Sequence, residues 1–461
     1  MPTSFDPEVP RFDADELEEM LQRALTRSAA ISGRRRRRRS LIGGAGLGLV
    51  VALVLGVVVE AQTPTAVHHA PHTDAAARSV TRHWKLVDYV SASWKVLSAP
   101  NGASVFPTLD LTCPSTTTCY ALGLAPSGSQ QPKPGAPAPP LVLQIETTTD
   151  GGQSWTPIKL PVSVSHASLS CASASTCALL GLNTAGDPVF LETSDGGQSW
   201  SAQPGPSQLT ARNFPAGSYP TALDCVSAGD CIAIAAAATQ SGPLSLASFS
   251  LATTDDGKTW IKGTLPGNLV ANGLTCADAG DCVVTGYDIP GSDPTAAGAG
   301  AAYSTDGGVT WAAATLPAGT KGLGSVACTN SGFCITTPIG PTGAGHVLTS
   351  SDHGHTWTEV SPTGLTGNLL SGLQDFSCPT NTQCWTTGFL PPPTPASANA
   401  ADTQGLLAQS SDGGQTWQPD QLPSAVKAVL SVSCPTNTTC YALAILVTNT
   451  GRTFGLLSNS A

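Results

Sequence analysis

Three aspartates that lie outside the repeated turn motifs of this chain have the positions that best suit chemistry on a ligand. Asp110 and Asp375 each lie three positions before a cysteine that opens a repeat, and Asp224 lies one position before such a cysteine. Two carboxylates across one cleft could be the acid and base of a glycoside hydrolase. They could also bind a ligand without catalysis, or be polar residues at turns. The sequence thus offers them as ligand contacts at the mouth of a channel and indicates no catalytic residue.

The 14 cysteines of the chain form seven pairs, and five residues separate the two cysteines of every pair. Zinc sites typically use shorter Cys-x2-4-Cys spacings, often with histidines, and neither feature is present. We therefore predict seven local disulfides and no metal site. Disulfides persist outside the cytoplasm, which predicts an extracytoplasmic location for this part of the chain. The pairs are Cys113/Cys119, Cys171/Cys177, Cys225/Cys231, Cys276/Cys282, Cys328/Cys334, Cys378/Cys384 and Cys434/Cys440.

The spacing of the pairs indicates the fold, because successive first cysteines lie 50 to 58 residues apart. A period near fifty with several short strands per unit is typical of propellers. In each unit the two cysteines bracket the turn of a hairpin, and the second cysteine opens the second strand. A third strand, a turn and a fourth strand follow, and four short antiparallel strands form one propeller blade. The sequence predicts an all-β, seven-bladed propeller with disulfide-stapled hairpins.

The turn between the third and fourth strands has the pattern Ser/Thr-x-Asp-x-Gly-x-Ser/Thr-Trp in six units. The aspartate can accept backbone N–H groups within the turn, the glycine allows a positive φ, and the tryptophan can bury a large area between strands or blades. A structural role therefore explains each element of the motif. The motif residues are Asp150, Asp195, Asp255, Asp306, Asp352 and Asp412, with Trp155, Trp200, Trp260, Trp311, Trp357 and Trp417.

These six motifs resemble the Asp-box, or bacterial neuraminidase repeat, of sialidases, some other glycoside hydrolases, sortilin-type receptors and the photosystem II stability and assembly factor. The resemblance covers residues 84–461. The combination with Cys-x5-Cys is most similar to secreted or membrane-anchored bacterial proteins of the assembly-factor-like group. In these families the Asp-box lies at the blade periphery, remote from any active site. The resemblance thus implies a fold and not a reaction, and it makes the six aspartates structural.

A classical sialidase is disfavoured by the arginine content of the chain. The resemblance implies that a sialidase would need three arginines on the substrate carboxylate, together with a Tyr/Glu nucleophile pair. Beyond residue 60 the chain has only four arginines, namely Arg78, Arg82, Arg212 and Arg452. Only the last two fall within the blades, which is too few for the triad. We therefore predict the absence of sialidase activity, and the runner-up enzyme class is another glycosidase.

The N-terminal region predicts a single-pass membrane anchor. Leu41–Val59 is an uncharged stretch of 19 residues, and Arg34–Arg39 precede it directly. Such a stretch can cross a bilayer as a helix, and the arginines would remain in the cytoplasm. A cleaved signal peptide is the competing interpretation. The predicted organisation is a cytoplasmic arm (1–40), a transmembrane helix (41–59), a stalk (60–83) and an extracytoplasmic propeller (84–461).

The two ends of the repeat region predict how the ring closes. The last unit ends after its third strand, at Phe454–Ser460, and lacks the fourth. Ser93–Pro100 resembles the missing part of the motif, as it stands in Ser154–Pro161. We therefore predict that Trp94–Leu97 supplies the outer strand of the seventh blade and pairs with Phe454–Leu457. Closure of this kind removes the open edges of the ring.

The function that fits these observations is a membrane-anchored binding or scaffolding module for a protein or glycan ligand, without a cofactor. The ectodomain is acidic, since the chain has a net charge of −10, and so it is unsuited to nucleic acid. One alternative is a glycoside hydrolase that uses the channel-mouth carboxylates. Another is a transmembrane sensor, because residues 13–28 could form a short amphipathic helix that docks a cytoplasmic partner.

Overall fold

The computed structural model describes a ring of antiparallel sheets. The described residues are 85–88, 110–126, 141–209, 218–239, 245–289, 298–339, 346–365, 373–390, 404–448 and 451–459. They form seven sheets of four strands each. The first strands of neighbouring sheets contact one another, so these strands line the centre. The predicted all-β, seven-bladed propeller is confirmed.

The strands follow the ring in chain order, except that β1 (Lys85–Asp88) belongs to the last blade. Blade 1 comprises β2 (Asp110–Thr112), β3 (Cys119–Pro126), β4 (Leu141–Thr148) and β5 (Thr156–Ile158). Blade 2 comprises β6 (Val164–Cys171), β7 (Cys177–Asn183), β8 (Pro188–Thr193) and β9 (Ser201–Pro204). Blade 3 comprises β10 (Ser218–Cys225), β11 (Cys231–Thr239), β12 (Ser245–Thr253) and β13 (Ile261–Thr264).

The second half of the ring repeats this arrangement. Blade 4 comprises β14 (Leu269–Cys276), β15 (Cys282–Asp288), β16 (Gly298–Ser304) and β17 (Ala312–Ala313). Blade 5 comprises β18 (Leu323–Cys328), β19 (Cys334–Pro338), β20 (Val347–Ser350) and β21 (Thr358–Val360). Blade 6 comprises β22 (Leu373–Ser377), β23 (Cys384–Leu390), β24 (Gln404–Ser410) and β25 (Gln418–Pro419). Blade 7 comprises β26 (Val426–Ser433), β27 (Tyr441–Thr448), β28 (Gly451–Ser458) and β1.

All seven predicted disulfides are present, and each closes the first hairpin of one blade. Where both cysteines belong to strands, they face each other directly in the register, as Cys225 and Cys231 do. Only a five-residue loop separates the two paired strands, so the nearest cysteine to each cysteine is the other member of its pair. The seven bridges therefore strengthen single blades and do not connect one blade to the next.

The last cysteine pair departs from the predicted hairpin in one respect. In blades 1 to 6 the second cysteine opens the second strand, but β27 begins at Tyr441, so this assignment was wrong for Cys440. The last serine of β28, Ser458, pairs with Tyr441 and not with the cysteine. Asn459 follows directly, and its Oδ1 accepts a hydrogen bond from the Cys440 amide (2.7 Å). This side chain takes the place of a ladder hydrogen bond, so Cys440 lies outside the strand although its disulfide with Cys434 forms.

The hydrophobic core lies between the blades, because each sheet is covered on both faces by its neighbours. The second strand consequently reads as a continuous apolar run and not as an alternating one, and Cys177–Leu182 is buried at every position. One cluster illustrates the packing across an interface: Leu180 and Phe190 of blade 2 contact Leu223 and Leu251 of blade 3.

The ring closes through the N-terminal strand, as predicted, but through a different segment. β1 pairs with the end of β28, in the register Lys85↔Ser458 and Leu86↔Leu457. The assignment of Trp94–Leu97 to this strand was wrong, and those residues lie outside the described part of the chain. In the other blades the fourth strand begins directly after a tryptophan, and Trp84 precedes β1 in the same way. The sequence contains two such tryptophans, and the earlier one marks the strand.

The seventh blade lacks an Asp-box turn, and a large side chain fills the space. In blades 3, 4 and 5 the residue after the second cysteine packs under the box glycine of the next blade. A Cβ on Gly308, for example, would lie 2.8 Å from Ile232. In blade 6 the equivalent residue is Trp385, which is 2% exposed and packs against Leu457 and Ala442. The indole of Trp385 thus occupies the volume that the Asp-box turn of the next blade covers in the other blades.

The predicted cytoplasmic arm, transmembrane helix and stalk lie outside the described residues. Within the described part of the chain, no helix has the length and apolar character needed to cross a membrane.

Candidate functional site

The propeller has two chemically different faces. Because the strands are antiparallel, the hairpin loops between the cysteines and the Asp-box turns lie at the same end of each blade. Hydrogen bonds join them, from the amide of Gly151 to the carbonyl of Thr117 (2.8 Å) and from that of Gly196 to Ser175 (2.9 Å). We call this end the disulfide face. The opposite end, which we call the loop face, carries the connections between second and third strands and those between blades.

The connections on the loop face differ greatly in length from blade to blade. The second and third strands are joined by a short turn between Asn183 and Pro188 in blade 2, and by a long segment between Pro126 and Leu141 in blade 1.

The Asp-box carboxylates are fully engaged within their own turns. Asp150 Oδ1 accepts hydrogen bonds from the Thr148 hydroxyl (2.8 Å) and the Ser154 amide (2.9 Å), and Oδ2 accepts one from the Ser154 hydroxyl (2.6 Å). The other five boxes repeat these bonds. These carboxylates form and stabilise turns, as expected of Asx motifs.

The same hydrogen bonds keep the box carboxylates ionised. The hydroxyl and amide of Ser154 lower the pKa of Asp150 to about 2, and Ser199 does the same to the pKa of Asp195. At Asp352 partial burial opposes the effect, but the hydroxyls of Ser350 and Thr356 still bring the pKa to about 2. An acid that remains charged at every physiological pH cannot serve as a general acid. The box carboxylates are therefore charged hydrogen-bond acceptors within their turns and not general acids.

The box tryptophans connect the turns to the interior. Trp357 and Trp417 are buried, and each donates its indole N–H to the carbonyl of its own box glycine. Trp260 makes an edge-to-face contact with Phe190 of the preceding blade, with ring centroids 5.3 Å apart. Geometry of this type is the favourable one for aromatic pairs.

Around the centre of the ring, hydrogen bonds connect four pairs of neighbouring blades through the residue before the first cysteine. The Ser170 hydroxyl accepts from the Cys225 amide (2.9 Å), and the Asp224 carboxylate accepts from the Cys276 amide (2.7 Å). Ser377 and Ser433 occupy the same position in blades 6 and 7 and accept in the same way from the cysteine of the following blade. Asp224 thus belongs to a recurring blade-to-blade contact.

Asp375 connects three blades. Its Oδ1 accepts from the Ser325 hydroxyl of blade 5 (3.1 Å) and from the Phe376 amide (2.9 Å). Its Oδ2 accepts from the Ser431 hydroxyl (2.9 Å) and the Val432 amide (3.0 Å) of blade 7. With four donors, this carboxylate is held in place between the blades.

Asp110 occupies the position in blade 1 that Asp375 occupies in blade 6. Burial and the nearby charge of Asp375 raise the pKa of Asp110 to about 6, although the Leu111 amide opposes the shift. Burial also raises the pKa of Asp224 to about 6 and that of Asp375, against the hydrogen bonds that each accepts. The charge of Asp375 thus acts on Asp110, whereas Asp224 lies in blade 3.

Glu192 is a further perturbed group, and sequence reasoning treated it only as a third-strand residue. It lines a small crevice between blades 2 and 3 with Thr176 and Ser227. Burial and the charge of Asp256 raise the pKa of Glu192 to about 7, and Lys258 opposes this. Neither neighbour is close in sequence, so no local pattern marks the site. Among the described residues, no group of three or more His, Cys, Asp or Glu is arranged to hold a metal ion.

The fold and its six turns define the class of protein: this chain is a seven-bladed β-propeller whose turns resemble the Asp-box. A model of the BNR/Asp-box repeat family matches residues 302–313, which form the turn of blade 4. No curated protein matches the chain.

Several solved structures are similar to this chain at low sequence identity. YCF48 bound to a D1 peptide is 20% identical, with a TM-score of 0.47, over 82% of this chain and 100% of that one. A Dyadobacter fermentans protein of unknown function is 14% identical (TM-score 0.43; 83% of this chain and 98% of that one). Trypanosoma rangeli sialidase in complex with sialic acid is 14% identical (TM-score 0.36; 83% and 59%). Likeness at this level concerns the fold alone.

Proposed function

We propose that this propeller is a non-catalytic binding or scaffolding module, which presents its loop face to a protein or glycan ligand outside the cytoplasm. The contrast between the two faces carries the proposal. On the disulfide face the hydroxyls and carboxylates accept hydrogen bonds from backbone amides of their own turns. On the loop face the connections vary in length while the blades beneath them are repeated. Binding surfaces are commonly variable loops on a rigid scaffold of this kind.

The inner-ring carboxylates also favour binding over hydrolysis. A glycoside hydrolase requires one carboxyl group as acid and a second as nucleophile or base. Asp375 accepts four hydrogen bonds from three blades, so its two oxygens are already engaged in contacts between blades. Asp224 accepts hydrogen bonds from blades 2 and 4, through the Ser170 hydroxyl and the Cys276 amide. Asp110 is the carboxylate of this group that remains for ligand contact, and one such group does not make a hydrolase.

The location of the module is part of the proposal. Seven disulfides support an oxidising compartment. The uncharged stretch Leu41–Val59, preceded by arginines, supports a single-pass anchor with the N-terminus in the cytoplasm. Residues 13–28 would then be available to a cytoplasmic partner, which keeps a sensor as the second candidate function.

Photo-cross-linking in the native envelope tests the assignment of the faces. A photoreactive amino acid is placed in the full chain at Ala185 or Ala318, which are exposed on the loop face. The matched control positions are Thr116 and Ser175, which are exposed on the disulfide face. We expect both loop-face positions to capture one common partner and both control positions to capture none. Capture from the disulfide face alone would contradict the proposal, as would glycoside turnover by the full chain that Asp110→Asn abolishes.

A further inference from the structure

We propose that the centre of the ring binds an extended peptide segment through its main-chain N–H and C=O groups, by means of side chains that β-bulges expose on the inner strands. The inference rests on the proposed function, because it names the chemical class of the ligand and the place where part of that ligand lies.

The inner strands of blades 2 to 7 are each interrupted at the same position. Their pairing with the second strand shifts in register there, as between Pro220 and Ala222 in blade 3 and between Ala271 and Gly273 in blade 4. A β-bulge of this kind re-aims a side chain, and bulges are frequent beside functional sites. The residue at the shift lies four positions before the first cysteine of its blade; in blades 2 to 7 it is Ala167, Thr221, Asn272, Gly324, Gln374 and Leu430.

The bulge position is where the inner strands are open to solvent. Thr221, Asn272 and Gln374 are exposed, and no other inner-strand residue is exposed wherever the structure describes the side chains. Neighbouring blades cover both faces of each sheet, so an inner-strand side chain can reach water only at the centre of the ring. The centre is therefore open at this height, and these three side chains border the opening.

All three side chains are uncharged and keep hydrogen-bonding capacity for a ligand. The Thr221 hydroxyl donates to the Ile234 carbonyl (3.1 Å), so its lone pairs can still accept. Asn272 Nδ2 donates to the Leu323 carbonyl (2.9 Å). Within the described part of the chain, Asn272 Oδ1 and the Gln374 amide have no hydrogen bond. A side-chain amide offers donors and an acceptor, which match the C=O and N–H groups of a peptide.

The two sides of the opening differ in polarity. The polar residues belong to blades 3, 4 and 6, whereas Ala167 of blade 2 and Leu430 of blade 7 are half-buried and apolar. An extended peptide places successive side chains on opposite sides of its main chain. Its main-chain groups can therefore meet the polar arc while an apolar side chain packs on the other.

A glycan suits the opening less well. Among the described inner-strand side chains, none that is exposed or half-buried is aromatic, so the opening offers no ring on which a sugar could stack. The carboxylates that could accept from sugar hydroxyls, Asp224 and Asp375, already accept backbone amides of the next blade.

Photo-cross-linking from within the opening tests the site. A leucine analogue that bears a diazirine replaces Leu430 in the full chain, and the native envelope is irradiated. Leu430 makes none of the proposed hydrogen bonds, so the polar arc stays intact. We expect mass spectrometry to identify a peptide segment of the same partner that Ala185 and Ala318 capture from the loop face. Gln374→Ala and Asn272→Ala should each reduce this capture about fivefold, the effect of one lost hydrogen bond.

Gln418→Ala is the matched control, because this exposed glutamine lies on the outer strand of the blade that carries Gln374. It should leave capture at position 430 unchanged. Melting temperatures verify that the variants fold, and should Asn272→Ala fold poorly, Gln374→Ala still decides, since Gln374 has no hydrogen bond within the described part of the chain to lose.

Three results would overturn the inference. One is a glycan captured at position 430, and another is capture there that neither alanine variant reduces. The third is capture from Ala185 and Ala318 with none from position 430, which would leave the proposed function standing. Failure of all three positions to capture a partner would contradict both the inference and the proposed function.

Discussion

Ser433 and Cys113 are separated by 320 positions in the chain, yet the hydroxyl of Ser433 accepts a 2.9 Å hydrogen bond from the amide of Cys113. The pair joins the inner strand of the last blade to that of the first. The same bond occurs between blades 2 and 3, where Ser170 and Cys225 are neighbours along the ring. The joint between blades 7 and 1 therefore uses the same contact as the interfaces between blades 2 and 3, 3 and 4, and 6 and 7.

Removal of this acceptor should weaken the closure. In Ser433→Ala the Cys113 amide loses its partner in a largely buried setting, which costs about 1–3 kcal/mol. We expect the free energy of unfolding to fall by that amount in a urea titration of the intact, oxidised chain. Thr438→Ala, on an exposed turn of the same blade, is the control and should have little effect. Equal stabilities of the two variants would show that the bond contributes nothing.

The closing strand can be located by deletion. Removal of Lys85–Asp88 leaves the end of β28 without a partner, and an unpaired strand edge promotes aggregation. We expect a lower melting temperature and higher-order species in size-exclusion chromatography. A Gly/Ser replacement of Trp94–Leu97 is the comparison and should leave the closure intact. If the Trp94–Leu97 replacement lowered the melting temperature more than the Lys85–Asp88 deletion, Trp94–Leu97 would be the closing strand, as the sequence predicted.

The Asp-box should matter for stability and not for binding. In Asp412→Asn the side chain can no longer accept from both the hydroxyl and the amide of Thr416, and it packs beside the buried Trp417. We expect a loss of about 1–3 kcal/mol in the free energy of unfolding. Gln415→Ala, at an exposed position of the same turn, should be near neutral. Loss of partner cross-linking in a folded Asp412→Asn protein would show that the box also has a binding role.

The two groups of aspartates should give the stability a maximum in mildly acidic solution. The pKa values of the box aspartates Asp150, Asp195 and Asp352 are lowered to about 2, so their stabilisation is present above pH 4 and is lost as the pH falls towards 2. The pKa values of Asp110 and Asp224 are raised to about 6, so their stabilisation is lost as the pH rises through 6. Urea midpoints measured from pH 2 to 8 should therefore be highest between about pH 4 and 6. A profile that rises steadily to pH 8 would contradict this.

Local patterns predicted most of the fold. A cysteine pair within one hairpin can close only on itself, and the apolar run after Cys177 indicated a strand covered on both faces. The closing strand was misplaced because Ser93–Trp94 fits the Ser/Thr-Trp end of the motif, whereas Trp84 follows a histidine. Only pairing with Ser458 distinguishes them, and that contact is remote in sequence.

The start of the last second strand was misplaced for a related reason. Cys440 has the same local sequence pattern as the other second cysteines, so the pattern placed it in the strand. Its amide donates a hydrogen bond to the side chain of Asn459, which lies 19 residues further along the chain. The incomplete motif at the end of the chain gave no indication of this contact.

The candidate site was predicted less completely, again because its contacts are remote in sequence. The sequence indicated that Asp110, Asp224 and Asp375 lie near the channel. It could not indicate that Asp375 bonds to Ser325 and Ser431, because those partners come from other blades. The environment of Glu192 likewise depends on residues of the next blade.

The position of β1 has a consequence for how the chain is made. The first strand of the propeller to leave the ribosome or the export channel is the one that needs the last strand as its partner. Six blades can fold in order as they emerge, since their strands are consecutive. The seventh must wait until β28 has been synthesised, and until then the growing propeller is an open arc with an apolar flank. Chaperone protection should therefore matter most in the interval before β28 is synthesised.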